Sequence, residues 1–151
     1  MKLTSLIIVL AAAACFSVCL AATHNMNANA TDKLQGTWSC VSATVDGRVL
    51  PAETTTLLRL TLTVNRYKTT KGDEVLFDST YTVNTSTNPK QINMVETEGD
   101  LTGKEAQGIY ALDGDVLRIC YRMPGLGRPD AFESPAGSMS YLVTWKRQSR
   151  K

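Results

Sequence analysis

Among its 151 residues the chain has one histidine, His24, and it lies in a short polar stretch near the N-terminus. A Ser-His-Asp or Cys-His catalytic unit needs an imidazole beside its nucleophile, so the patterned part of the chain cannot build one. Cysteine is nearly as scarce. Of the four, Cys15 and Cys19 fall in an N-terminal apolar run, leaving Cys40 and Cys120, which with scattered carboxylates make a poor ligand set for zinc. No metal, no cofactor and no enzymatic activity are expected. No glycine-rich loop opens a helix: Gly125-Leu126-Gly127 is followed by Arg128-Pro129, which reads as a turn-rich segment. Asp113 and Asp115 flank Gly114 in what is most economically a hairpin turn rather than the paired carboxylates of a glycosidase. Charge of one sign is missing too. The formal net charge is +2, and no basic patch is interleaved with aromatics, so nucleic acid is not an expected partner. The one charge run, Lys146-Arg147-Gln148-Ser149-Arg150-Lys151, reads as a solvated end, with 149–151 as a basic tail.

What is present begins with a leader. Met1-Lys2, an apolar run from Leu6 to Ala14, and Cys19-Leu20-Ala21-Ala22 have the order of a secretory signal, so residues 1–21 are expected to be a signal peptide. No stop-transfer charge follows, and no transmembrane segment is expected. Ala12-Ala13-Ala14-Cys15 also resembles a degenerate lipobox, which leaves open a lipid anchor at Cys15. The protein is therefore expected to be exported, periplasmic or secreted. Ala22 to Asp32 is rich in Asn, Ala and Thr and reads as a flexible tether. One domain, 33–148, follows; at about 115 residues it is long enough for a core of its own and is expected to be a monomer.

Alternation dominates that domain. Leu34 to Ala43 reads as a first strand, with Trp38, Cys40, Ser42 and Thr44 on one side. Gly36 lets the backbone approach whatever crosses the barrel end, and the Trp38 indole closes that end from inside; a plain core tryptophan is the simpler alternative. Asp46-Gly47 turns the chain, and Pro51 opens a short helical turn. Leu58 to Val64 alternates, with its leucines and Val64 facing in. Further strands are expected at 67–70, 74–83, 91–95, 104–112, 116–121 and 141–146. In the 74–83 strand Val75, Phe77, Ser79, Tyr81 and Val83 share a side. Leu117, Ile119 and Tyr121 face opposite to Arg118, Cys120 and Arg122, so parity argues against a Cys40–Cys120 disulfide, which a local bulge would nonetheless permit.

Eight short strands joined by hairpin-length turns, with no room for a crossover helix, close most naturally into an antiparallel up-and-down β-barrel; a two-sheet sandwich is the alternative. Leu34-Gln35-Gly36-Thr37-Trp38, Asp46-Gly47, the run from Gly108 to Asp115, the run from Leu117 to Tyr121, Gly127-Arg128-Pro129 and Phe132 together resemble an uncharacterised, lipocalin-like domain family abundant in Planctomycetes. The resemblance covers nearly the whole domain and implies a fold and an exported setting, but no activity. More distantly, Gly36-x-Trp38 with a basic residue after the last strand resembles the lipocalin pattern, which implies that Arg147, in phase with Trp145, packs over Trp38.

Such a barrel would have Trp38, Leu60, Leu62, Phe77, Tyr81, Ile119 and Tyr121 as apolar and aromatic walls, with Ser42, Thr44 and Ser79 as polar handles. The long loop after the seventh strand would bring Arg128 and Phe132 to one mouth, where Arg128 would favour a ligand with an anionic end or simply bond loop carbonyls. The expected function is binding of a small apolar or amphipathic ligand. The alternative is a cell-envelope structural or protein-interaction domain with a filled barrel.

Overall fold

The computed structural model describes residues 26–149; the leader, including Cys15 and the cleavage region, and the last two residues lie outside them. Alternating residues produce a closed, eight-stranded antiparallel up-and-down barrel of the lipocalin-like kind. Its strands are β1 (Gly36–Val45), β3 (Leu58–Leu62), β4 (Arg66–Lys71), β5 (Glu74–Asn84), β6 (Lys90–Glu96), β7 (Glu105–Asp113), β8 (Val116–Arg122) and β9 (Ser140–Arg147), closed by pairing of β9 with β1. A two-residue strand, β2 (Arg48–Val49), returns along β1 after the Asp46-Gly47 turn, and the expected helical turn follows as α2 (Ala52–Thr55), with Pro51 as its N-cap.

The chain enters differently from expectation. Residues 26–34 form a helix, α1, so the flexible-tether reading of 22–32 is corrected over 26–32. Composition suggested a tether because the segment has no long apolar period. Tertiary contacts supply what propensity does not. Ala30 packs on the core, Leu34 is buried in it, and the Asn27 side-chain carbonyl accepts hydrogen bonds from the Thr85 backbone N–H (3.2 Å) and hydroxyl (3.1 Å) in the β5–β6 loop. Leu34 thus ends a helix rather than beginning a strand. Gly36, at φ +133°, makes the turn between them with the Arg147 guanidinium against it.

Two bulges alter the facing of side chains. The β1–β9 register shifts between Cys40 and Ser42, so Ala43 turns into the core while Ser42 is exposed; the expected interior placement of Ser42 and Thr44 is corrected. A second shift between Thr69 and Thr70 puts Phe77 opposite Thr69 and Val75 opposite Thr70, which leaves Val75 exposed beyond the barrel. Val64 lies past the end of β3 and is 67% exposed rather than inward. Elsewhere alternation holds, with Leu58, Leu60 and Leu62 on β3, Ile92 and Met94 on β6, and Leu117, Ile119 and Tyr121 on β8 all buried.

The α1 helix and the β3–β4, β5–β6 and β7–β8 turns lie at what we term the lower end. The β1–β2 hairpin, α2, the β4–β5 hairpin, the β6–β7 loop and the long β8–β9 loop lie at the upper end.

Candidate functional site

The lower end is a floor. Trp38 donates its indole N–H to the Leu34 carbonyl at 3.0 Å, which ties β1 to α1. The Arg147 guanidinium lies 4.1 Å over the Trp38 ring, donates to the Gln35 and Lys33 carbonyls, each at 2.6 Å, and pairs with Asp115 at 3.2 Å. Cation–π attraction and satisfied helix-end carbonyls both follow from one side chain. Asp113 ends β7, and Gly114, at φ +55°, with Asp115 makes the β7–β8 turn, where Asp115 serves Arg147; they are structural. A groove of about 830 Å³ runs outside this floor past Lys33, Thr37, Leu112 and Gln148, and the Arg147 guanidinium that lines it is already engaged.

Above the floor the barrel is filled. Trp38, Leu60 and Ile119 are 0% exposed and Leu62 is 2% exposed, and they pack against one another in a single core. These four expected pocket residues are core. Tyr81 is buried beside them and donates its hydroxyl to the Thr63 carbonyl at 2.8 Å, bracing β5 against the β3–β4 turn.

The upper end has different chemistry. Tyr67, Ser79 and Glu96 stand in one register row that climbs across the tilted strands, from Tyr67 next to the β3–β4 turn through Ser79 to Glu96 at the upper end of β6, and all three face inward. Two of them, Tyr67 and Glu96, were not picked out from the sequence. The signal for Glu96 was parity, since Ile92 and Met94 lead straight to it, but the strand expected at 91–95 stops one residue short of it. Burial pushes the Glu96 carboxyl above the usual carboxylate range; nearby Asp78 adds to the rise, and the Ser79 hydroxyl opposes it without closing a hydrogen bond of full geometry. Burial likewise pushes the Tyr67 phenol up to about 12 and holds the Tyr121 phenol well above its ordinary value. Tyr121 stacks on Tyr141 with centroids 4.9 Å apart, and meets Phe77 edge-on at 6.2 Å. Phe77 and Tyr141 are only half-buried and form the rim. On the outer face, Arg66 makes a paired contact with Asp78, both bonds at 2.6 Å, and this holds the Asp78 carboxyl below its ordinary range.

Arg128 and Phe132 do not reach the interior, which corrects their placement at the mouth. The Arg128 guanidinium donates to the Ile92 carbonyl (3.2 Å), the Gly108 carbonyl and the Asn93 side chain (2.7 Å), pinning the long loop to β6 and β7. It leaves no basis for an anionic ligand end. Phe132 lies on the outer face of β8 with the Arg118 guanidinium 4.7 Å from its centroid. Gly108 is where these strands press closest. A Cβ there would sit 2.7 Å from the Cys120 carbonyl oxygen and 2.8 Å from the Tyr121 Cβ.

The cysteines Cys40 and Cys120 are both free thiols. Cys40 packs against the core and burial pushes its thiol up to about 11, whereas Cys120 lies beneath the long loop and donates to the Glu133 carbonyl at 3.3 Å. Among the described residues no group of His, Cys, Asp and Glu is placed to hold a metal ion, and no helix is long and apolar enough to cross a membrane. Comparison with protein-family models, with curated proteins and with solved structures finds no match, so the functional reading rests on the geometry of this chain alone.

Proposed function

We propose that the chain is an exported lipocalin-like domain, without catalytic activity, that binds one small amphipathic molecule at the upper end of its barrel. The observation that carries this reading is the inward row of Tyr67, Ser79 and Glu96 beside the half-buried rings of Phe77 and Tyr141, with the Ser79 hydroxyl unpaired. A few convergent polar groups set in an aromatic wall are what orient a ligand in a small-molecule site. The filled lower half limits the molecule to a short one that enters at the rim. Thermal unfolding with fatty acids, quinones and small aromatic amphiphiles at about 100 μM tests the reading. A ligand present at a hundredfold excess over its Kd adds about 2.7 kcal/mol of stability, which a melting shift reports.

The zero exposure of the central walls favours a second reading, an envelope interaction domain whose barrel is simply a rigid body. A flat thermal response to the whole panel would select it. Export belongs to both readings: cleavage after Ala21 or Ala22 leaves a chain starting at Ala22 or Thr23, and the intact mass of exported protein checks this. Diacylglycerol on Cys15 would identify a lipoprotein instead.

A further inference from the structure

The upper site has a preferred charge. Glu96 is 7% exposed and faces the barrel interior in register with Ser79, itself 1% exposed. Among the described residues the ion pairs are Arg66 with Asp78, Arg66 with Glu98 and Arg147 with Asp115, and none includes Glu96. Its charged neighbour, Asp78, has the same sign and is already taken by Arg66. A carboxylate removed from water without a cation is costly, and the cost is relieved when a cation arrives. The other groups turned toward it suit that arrival. The Ser79 hydroxyl has no partner, and the Tyr67 and Tyr121 phenols lie close enough to Glu96 to feel its charge. Each offers an acceptor oxygen to an ammonium group, which has three donors and no acceptor. Between this row and the rim, the stacked Tyr121 and Tyr141 and the edge-on Phe77 make an aromatic wall of the kind that attracts organic cations through the negative face of the ring. Arg128, which could have reversed the preference, is held outside on backbone carbonyls.

We infer that the molecule bound at the upper end is a small amine, its ammonium group paired with Glu96 and hydrogen-bonded to Ser79, and its carbon frame laid against Tyr121, Tyr141 and Phe77. The inference rests on the binding reading above and adds the chemical class of the ligand. It also excludes fatty acids and other carboxylates, whose charge would meet Glu96 and Asp78.

Three probes of one size and shape separate the possibilities: phenethylamine, phenethyl alcohol and hydrocinnamate. Each is titrated into the full mature chain by calorimetry, with intrinsic fluorescence in parallel. The expected result is that phenethylamine binds at least tenfold more tightly than phenethyl alcohol and that hydrocinnamate binds most weakly. Glu96→Gln keeps the side-chain shape and removes the buried charge; it should abolish the advantage of the amine while leaving binding of the alcohol in place. Ser79→Ala, a small change on a strand, should weaken the amine severalfold more than the alcohol, and it serves as the test should the Gln variant not fold. Equal affinity for amine and alcohol in the unaltered protein would overturn the amine inference and leave the binding reading standing. An amine preference that survives in Glu96→Gln would place the cation elsewhere and overturn it as well. Binding by none of the three would overturn both.

Discussion

At the lower end of the barrel, α1, Trp38 and Arg147 interlock so that every strong donor named there has a carbonyl, a carboxylate or a ring to meet. At the upper end, the Glu96 carboxyl faces inward with no cation paired to it and the Ser79 hydroxyl closes no hydrogen bond of full geometry, beneath rings that are still partly open to water. The same eight strands run through both. The difference lies in what covers them: a helix whose carbonyls are satisfied by an arginine from the far end of the domain, against hairpins and loops tied to one another and to the strands, as Met139 is to Asp46 and Arg128 to Ile92 and Gly108. Buried side-chain atoms without a partner occur toward both ends, Ser79 Oγ in the upper row and Trp145 Nε1 and Thr87 Oγ1 toward the floor, so the partly open aromatic rim and the unpaired charge of Glu96 distinguish the upper end.

The largest effect should come from removing the foundation. Trp38→Ala deletes a fully buried ring together with its hydrogen bond to Leu34, and should cost about 3–5 kcal/mol in equilibrium denaturation. A loss under about 1 kcal/mol, the range of an ordinary surface site, would erase the distinction between the two ends. Arg147→Met keeps the stem over the indole but leaves the Gln35 and Lys33 carbonyls without their donor, so a smaller loss of about 1–3 kcal/mol is expected, with earlier exchange of the α1 amides as its local signature. Equal exchange at both ends would show that Arg147 does not hold the helix.

The smallest effect has the opposite sign. Burial raises the Glu96 carboxyl above its unfolded value, so between the two values the folded chain holds the extra proton. Stability from this group is full below the unfolded value and declines as pH rises through the folded one. Glu96→Gln should therefore be a little more stable than the unaltered protein at neutral pH, and its stability should fall less as pH rises from the acid side. Asp78 behaves inversely. Arg66 lowers its folded value, so its contribution is present above the unfolded value and lost as pH falls through the folded one. The two groups are distinguished by measuring urea midpoints across the acidic range in Glu96→Gln and Asp78→Asn. A Gln variant that is less stable at neutral pH would mean that Glu96 braces the upper end rather than waiting for a partner.

Much of the architecture follows from pattern alone. The period-two run of Leu58, Leu60 and Leu62, and its counterpart in Leu117, Ile119 and Tyr121, makes strands with one buried face, and eight such segments with short turns have few ways to hide that face other than closing on themselves. One distant contact, Arg147 over Trp38, was implied by the resemblance of Gly36-x-Trp38 and a later basic residue to the lipocalin pattern, and the phase of Arg147 with Trp145 allows it. The candidate site was less legible. Phe77 and Tyr121 were visible as inward aromatics, but the expected strand ended at Val95, one residue short of Glu96, and of the two expectations for Arg128, a ligand or loop carbonyls, nothing local shows that its acceptors are the Ile92 and Gly108 carbonyls on β6 and β7.

Local alternation, set by the stereochemistry of the extended chain, thus determined the strands, their order and most of their inward faces. Only the tertiary structure decided the rest. A one-residue bulge at Cys40 and Ser42 reverses every side chain after it on β1, and bulges arise from strain and pairing across the whole barrel rather than from the residues at the bulge. The helical residues at 26–34 are held in place by partners that come later in the chain: Ala30 and Leu34 pack on the core of the barrel, and Asn27 accepts hydrogen bonds from Thr85 in the β5–β6 loop. The buried row of Tyr67, Ser79 and Glu96 exists only through the register of three strands, since residues from three separate segments become neighbours when β4, β5 and β6 pair.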